Sequence, residues 1–151
     1  MGEPLIVKKA LRQAYIQSGE LEKAADFGRL PDPSGRGDPL YTRVVTELIE
    51  QPIRRVGDKN FAEPFRVADK YLDSGWSLAL VFGHVIQYSN GRKVELIESL
   101  VEHLNTTKGG EGLVDEVNKI ISHCKLIGLK EEAAYFSNAY QSVLNSGGGG
   151  A

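Results

Sequence analysis

Apolar residues recur at intervals of three and four along almost the whole chain, and no stretch sustains an alternation of apolar and polar residues. The first pattern is typical of amphipathic α-helices, and the second is the one that half-buried strands show. The sequence therefore predicts an all-α protein of about eight helices, packed as antiparallel hairpins in a compact bundle or a short α-solenoid. The predicted helices span residues 4–18, 20–30, 40–55, 62–72, 76–88, 92–105, 113–127 and 130–144.

One segment interrupts the helical pattern. Residues 31–39 are rich in proline, glycine and aspartate, which favour turns and end helices. We therefore divide the chain into an N-terminal helical hairpin at 1–30, a linker at 31–39, a main helical domain at 40–145 and a flexible glycine tail at 146–151. Within the third predicted helix, Pro52 is expected to kink the helix or to end it early.

The fifth predicted helix is apolar on nearly every side. Such a helix is either central in the core or forms the wall of an interface. Burial among the other helices is the simpler interpretation, and Phe82 then belongs to the core. If the helix instead supplies an association surface, the candidate interface residues are Trp76, Leu80 and Val81.

Three segments repeat the order helix, glycine turn, helix. Their glycines are Gly19, Gly75 and Gly128, which stand 56 and 53 residues apart. Glycine is the residue that most readily adopts the left-handed conformation that ends a helix. We expect each of the three to cap one helix and to turn the chain into the next.

The first and third segments share further residues around the glycine. Tyr15 or Cys124 precedes it, and a small residue, Ala24 or Ala133, follows where the second helix closes against the first. These offsets resemble those of tetratricopeptide-like helical hairpins, and the resemblance implies stacked hairpins. The middle segment has Leu80 at the small position, and the spacing differs from the family's 34-residue period.

Composition adds an expected location. Cys124 is the only cysteine, so the chain cannot form an intramolecular disulfide, and a lone thiol is typical of a reducing compartment. The longest apolar run, Leu78 to Phe82, is much shorter than the roughly 20 residues that span a bilayer. The N-terminus shows no secretory signal. We therefore expect a cytoplasmic protein that is not integral to a membrane.

Charge is distributed evenly along the chain, with a formal net charge of −2. Binding to nucleic acid draws much of its free energy from neutralising phosphates, so this balance is untypical of a general nucleic-acid binder. A local basic patch is the best candidate for an anion or acidic-partner site, and solvated surface charge is the alternative. The patch comprises Arg54, Arg55, Lys59, Arg66 and Lys70.

The residues best suited to chemistry are scattered. His84, His103 and His123 fall on three predicted helices, and none has a second ligand at a zinc spacing. Cys124 lies on the apolar stripe of its helix, which favours a structural role over a nucleophilic one. The sequence thus predicts no catalytic residue, no metal site and no cofactor.

These observations favour a non-enzymatic protein-interaction role. The chain would be an adaptor, a scaffold or a small subunit of a larger assembly. It would bind a protein partner or associate with itself. The alternative is a helical nucleic-acid-binding protein that uses the basic patch. An enzyme with a cavity between its helices is a third hypothesis.

Overall fold

The structure is a computed structural model that describes residues 4–32, 34–35, 37–54, 60–72 and 77–148. Within these residues the chain forms nine α-helices and no strand, which confirms the all-α prediction. A short 3₁₀ helix follows the fifth α-helix at Ile86–Tyr88. The α-helices are α1 (Leu5–Gln17), α2 (Leu21–Ala25), α3 (Pro39–Arg54), α4 (Glu63–Tyr71), α5 (Leu78–Val85), α6 (Lys93–Thr107), α7 (Gly110–Leu126), α8 (Lys130–Ala139) and α9 (Gln141–Gly148).

Several helix boundaries differ from the predicted ones. The eighth predicted helix is two helices, because Tyr140 leaves the α-helical conformation with φ −111° and ψ 16° between α8 and α9. The loop expected between the sixth and seventh helices shrinks to Lys108 and Gly109, since both helices extend into it. Helix α9 continues to Gly148 and so includes the first half of the expected glycine tail; the remainder lies outside the described residues.

Pro52 lies inside α3, which ends two residues later at Arg54. Proline lacks the amide hydrogen that would bond to the carbonyl one turn earlier, so it weakens a helix at its own position. The Pro52 carbonyl accepts a hydrogen bond from the amide of Asn60 at 3.0 Å, which ties the end of α3 to the start of the α4 region.

The glycine turns after α1 and α7 have the same geometry. Gly19 and Gly128 have φ values of 82° and 86°, in the left-handed region. After α1, the Glu20 amide donates to the Tyr15 carbonyl at 2.8 Å; after α7, the Leu129 amide donates to the Cys124 carbonyl at 2.7 Å. This is the Schellman arrangement that closes a helix C-terminus. The third glycine, Gly75, lies outside the described residues.

The core is formed by apolar side chains from α3 to α8, with two alanines from α2. Phe82 of α5 is fully buried, and its ring meets that of Phe136 of α8 edge-on, with centroids 5.5 Å apart. Helix α5 also packs along α7. The fifth helix is therefore a core helix over most of its surface, as its composition favoured.

The N-terminal hairpin joins this core through α2, which packs against both α1 and α3. Ala24 and Ala25 are buried in that contact, since their small side chains let the helices approach closely. The side chain buried on α1 is Arg12, whereas Ile6, Val7 and Leu11 are exposed. In the part of the chain that is described, no helix is both long and apolar enough to cross a bilayer.

Candidate functional site

The predicted basic patch is brought next to acidic residues. Arg66 and Lys70 lie on α4, and both reach Glu22 of α2, at 2.8 Å and 3.1 Å. The hydrogen bond from Arg66 is the largest influence on Glu22 and lowers the pKa of its carboxyl to about 2. Arg66 also pairs with Glu63 one turn earlier on α4. All of these side chains are partly exposed, so each pair contributes about 1 kcal/mol or less to stability.

Arg54 belongs to a separate set of contacts. It pairs with Glu47 at 2.8 Å and approaches Glu50 at 3.7 Å, both on its own helix, α3. Arg55 and Lys59, the other members of the predicted patch, lie outside the described residues. Each described cation of the patch thus already faces a carboxylate, with which an anionic ligand would compete. The nucleic-acid hypothesis stays a prediction.

The predicted interface residues divide between surface and core. Leu80 is 52% exposed, whereas Val81 is only 5% exposed and packs into the core. Consecutive residues of an α-helix point about 100° apart, so Leu80 can face solvent while Val81, the next residue, faces the core. Trp76 lies outside the described residues. Of the two described candidates, Leu80 alone is available to a partner.

A groove between α5 and α7 extends the surface around Leu80. It is an open depression of about 440 Å³ with Leu80 on one side and Leu126 on the other; most of its surface is apolar, although polar residues of α7 also line it. Leu126 is 81% exposed, and Ile127 beside it is 44% exposed. We call Leu80, Leu126 and Ile127 the apolar patch. It lies where two core helices meet at the surface.

Leu126 was not predicted as an interface residue, although its position in the sequence indicates one. The buried face of α7 is formed by Val117, Ile120, Ile121 and Cys124. Leu126 falls off that stripe and yet is apolar. An amphipathic helix normally places polar residues there, so an apolar residue off the stripe indicates a second contact surface.

The two helices that form the groove approach closely at Gly83 of α5. A Cβ atom at this position would lie 2.8 Å from His123 Nε2 and 3.2 Å from Ile127 Cδ1. Because glycine has no side chain, the His123 ring and the Ile127 side chain pack directly over the α5 backbone. This contact positions one member of the apolar patch beside the helix that carries another.

Charged groups around the apolar patch are unevenly paired. On the rim of the groove, Asp115 and Lys119 form an ion pair at 3.0 Å. Lys125 and Lys130 are exposed on either side of the turn that follows Leu126, and they line a separate cleft of about 430 Å³ between α7 and α8 with Ala133, Ala134 and Ser137. Within the described residues neither lysine has a carboxylate partner. Glu131 and Glu132 are the acidic residues of the first turn of α8, which begins at Lys130.

The reactive residue types are engaged in structural contacts. Cys124 is buried, and burial, followed by the nearby Glu132, raises the pKa of its thiol to about 11, so it is protonated at neutral pH. His84 lies 2.6 Å from Glu50, and His103 contacts Asp69. Among the residues that the structure describes, no three potential ligands cluster as a metal site would require.

Comparisons with protein-family models, with curated proteins and with solved structures found no match to this chain. The resemblance to tetratricopeptide-like hairpins therefore rests on the residues around Gly19 and Gly128 and stays a prediction.

Proposed function

We propose that this protein is an interaction module, an adaptor or a small subunit of a larger assembly, and that it binds a helix of a protein partner along the groove between α5 and α7. The observation that carries the proposal is the apolar patch, in which Leu80, Leu126 and Ile127 are all substantially exposed. Clustered exposed apolar side chains usually mark a surface that a partner covers.

The shape of the groove favours a helical partner. A groove between two helices accepts the apolar side chains that an amphipathic helix presents three and four residues apart. The volume of about 440 Å³ suits a few such side chains. Lys125 and Lys130 beside the apolar patch favour carboxylates on the flank of the partner helix, because complementary charge speeds association and fixes orientation.

The test compares two variants with matched chemistry. Leu80→Gln with Leu126→Gln removes the two leucines of the apolar patch, and Val94→Gln removes an apolar side chain of intermediate exposure, 67%, from α6. Tagged proteins are purified from their native source, and the stoichiometric partner is then purified and titrated against each variant. We expect binding to be lost for the double variant and retained for Val94→Gln, with unchanged circular dichroism spectra.

Equal affinity of the partner for the double variant and for Val94→Gln would refute the groove as the docking surface. Failure of the chain to hold any protein at a fixed stoichiometry would refute the interaction role itself. In that case salt-sensitive binding of single-stranded RNA, measured with the same preparations, would favour the nucleic-acid hypothesis.

A further inference from the structure

Helix α1 carries a second apolar face that the rest of the described chain leaves exposed. Its inner side includes Arg12, which is buried, and Tyr15 and Ile16, which pack partly buried against the core. Since residues of a helix point about 100° apart, the opposite side of α1 is an exposed apolar arc of about 140° that ends at Gln17. We call the apolar residues of this arc the outer face of α1; they are Ile6, Val7, Ala10, Leu11 and Ala14.

The charge on α1 is entirely positive. The helix contains no acidic residue, and Lys8 and Lys9 border the outer face on its two sides. Within the described residues neither lysine has an ion-pair partner, whereas the third cation, Arg12, pairs with Asp38. A partner that covers the outer face therefore gains from carboxylates, because complementary charge speeds association and fixes orientation.

The groove between α5 and α7 of a second copy does not meet this requirement. Lys125 and Lys130 lie beside the apolar patch there, and they would repel the lysines of α1. The outer face is thus a contact surface separate from the groove of the proposed function.

A surface of the opposite charge lies on α6. An open cleft of about 540 Å³ separates α6 from the segment that leads into α4, and three carboxylates line it with Phe61 and Ala62. One of the three, Glu95, pairs with Arg92 on its own helix. The other two, Glu98 and Glu102, are exposed, lie one helical turn apart and have no ion-pair partner in the described part of the chain. We call this depression the acidic cleft.

We propose that the chain associates with itself head to tail, with the outer face of α1 in one copy docked on the acidic cleft of the next. Lys8 and Lys9 then reach Glu98 and Glu102, and apolar side chains of the outer face are removed from water. Because α1 and α6 are different surfaces, the contact is heterologous, and it forms rings or short chains of copies. One helix offers a small contact area, so the association is weak and depends on concentration.

Analytical ultracentrifugation of the purified chain at concentrations up to about 1 mM, where weak contacts are populated, tests the proposal. Two charge variants, Lys8→Glu with Lys9→Glu and Glu98→Lys with Glu102→Lys, each place like charges at the contact. Each alone should weaken association about tenfold or more. A mixture of the two variants restores opposite charges at every contact between them, so the mixture should associate as the unaltered chain does.

Three controls separate the contact from unfolding and from net charge. Lys125→Glu with Lys130→Glu makes the same change of charge at two exposed lysines outside both surfaces and should leave association unchanged. Ile6→Gln with Leu11→Gln should weaken association without a change of charge. Circular dichroism should show all variants folded.

Two results would overturn the proposal: a monomer at every concentration, or a mixture of the charge variants that associates no better than either variant alone. Binding of such a monomer to phosphatidylserine vesicles would assign α1 to a membrane surface instead.

Discussion

Phe82 is the residue whose truncation we expect to affect the core most directly. Its side chain is fully buried and meets Phe136 edge-on. Phe82→Ala would leave a cavity between α5 and α8, and we expect it to lower the free energy of unfolding by about 3–5 kcal/mol in urea titrations. Leu80→Ala on the same helix should cost less than about 1 kcal/mol, because Leu80 is half exposed. Equal losses would contradict the assignment of these two side chains to core and surface.

Asp38 is a single residue that should make the free energy of unfolding depend on pH. Burial alone raises the pKa of its carboxyl, but hydrogen bonds from Arg12, Leu30 and Tyr41 together outweigh burial, and the pKa lies below its ordinary value. A carboxyl with a lowered pKa stabilises the folded state. That contribution is fully present above the unfolded pKa of about 3.9 and is lost as the pH falls through the folded pKa.

We therefore expect the unfolding free energy of the unaltered protein to fall more steeply below about pH 4 than that of Asp38→Asn. At pH 7 the variant should be less stable by about 3–5 kcal/mol, because the buried Arg12 guanidinium loses its counter-charge. Asp115→Asn, which removes an exposed ion pair on α7, should change stability by less than about 1 kcal/mol. If the unfolding free energies of the unaltered protein and of Asp38→Asn changed in parallel with pH, the proposed role of Asp38 would be contradicted.

At the scale of the helices, two glycines on or next to α7 should respond oppositely to the same substitution. Gly128 follows the helix with φ 86°, so Gly128→Ala should cost about 1–2 kcal/mol, although an added Cβ would meet no neighbouring atom. Gly112 lies within α7, where an added Cβ also meets nothing. Gly112→Ala should stabilise the protein by up to about 1 kcal/mol because alanine has the higher helix propensity. Thermal unfolding measures both, and changes of the same sign would contradict the proposed cap.

At the scale of the whole molecule, α1 should be less stable than the core helices. Its apolar residues Ile6, Val7 and Leu11 are exposed, whereas α6 buries Leu100 and Leu104 completely. Segments with few buried apolar contacts open at a lower free energy than the core. Hydrogen exchange followed by mass spectrometry should therefore show faster exchange in α1 than in α6. Asp38→Asn should accelerate exchange more in α1 than in α6, and equal acceleration in both helices would argue against an independent opening of α1.

Local features of this protein follow from the sequence alone. Helix periodicity and the glycine caps depend on contacts within about five residues, so the all-α class and the turns at Gly19 and Gly128 were predictable. The burial of Phe82 followed from the apolar character of its helix. Helix ends were less certain, as the break at Tyr140 shows, because nothing in the local sequence marks it as strongly as glycine or proline would.

Contacts between distant segments were decided only by the tertiary structure. Arg66 donates a hydrogen bond to Glu22, which lies 44 residues away in the sequence. No sequence pattern near Arg66 predicts this contact. The same holds for the pairing of Arg12 with Asp38, and for the groove that places Leu80 opposite Leu126. The sequence shows which residues are charged or apolar within each helix. How the helices pack determines which charges are neutralised and which apolar side chains stay exposed, because those contacts join residues that lie far apart along the chain.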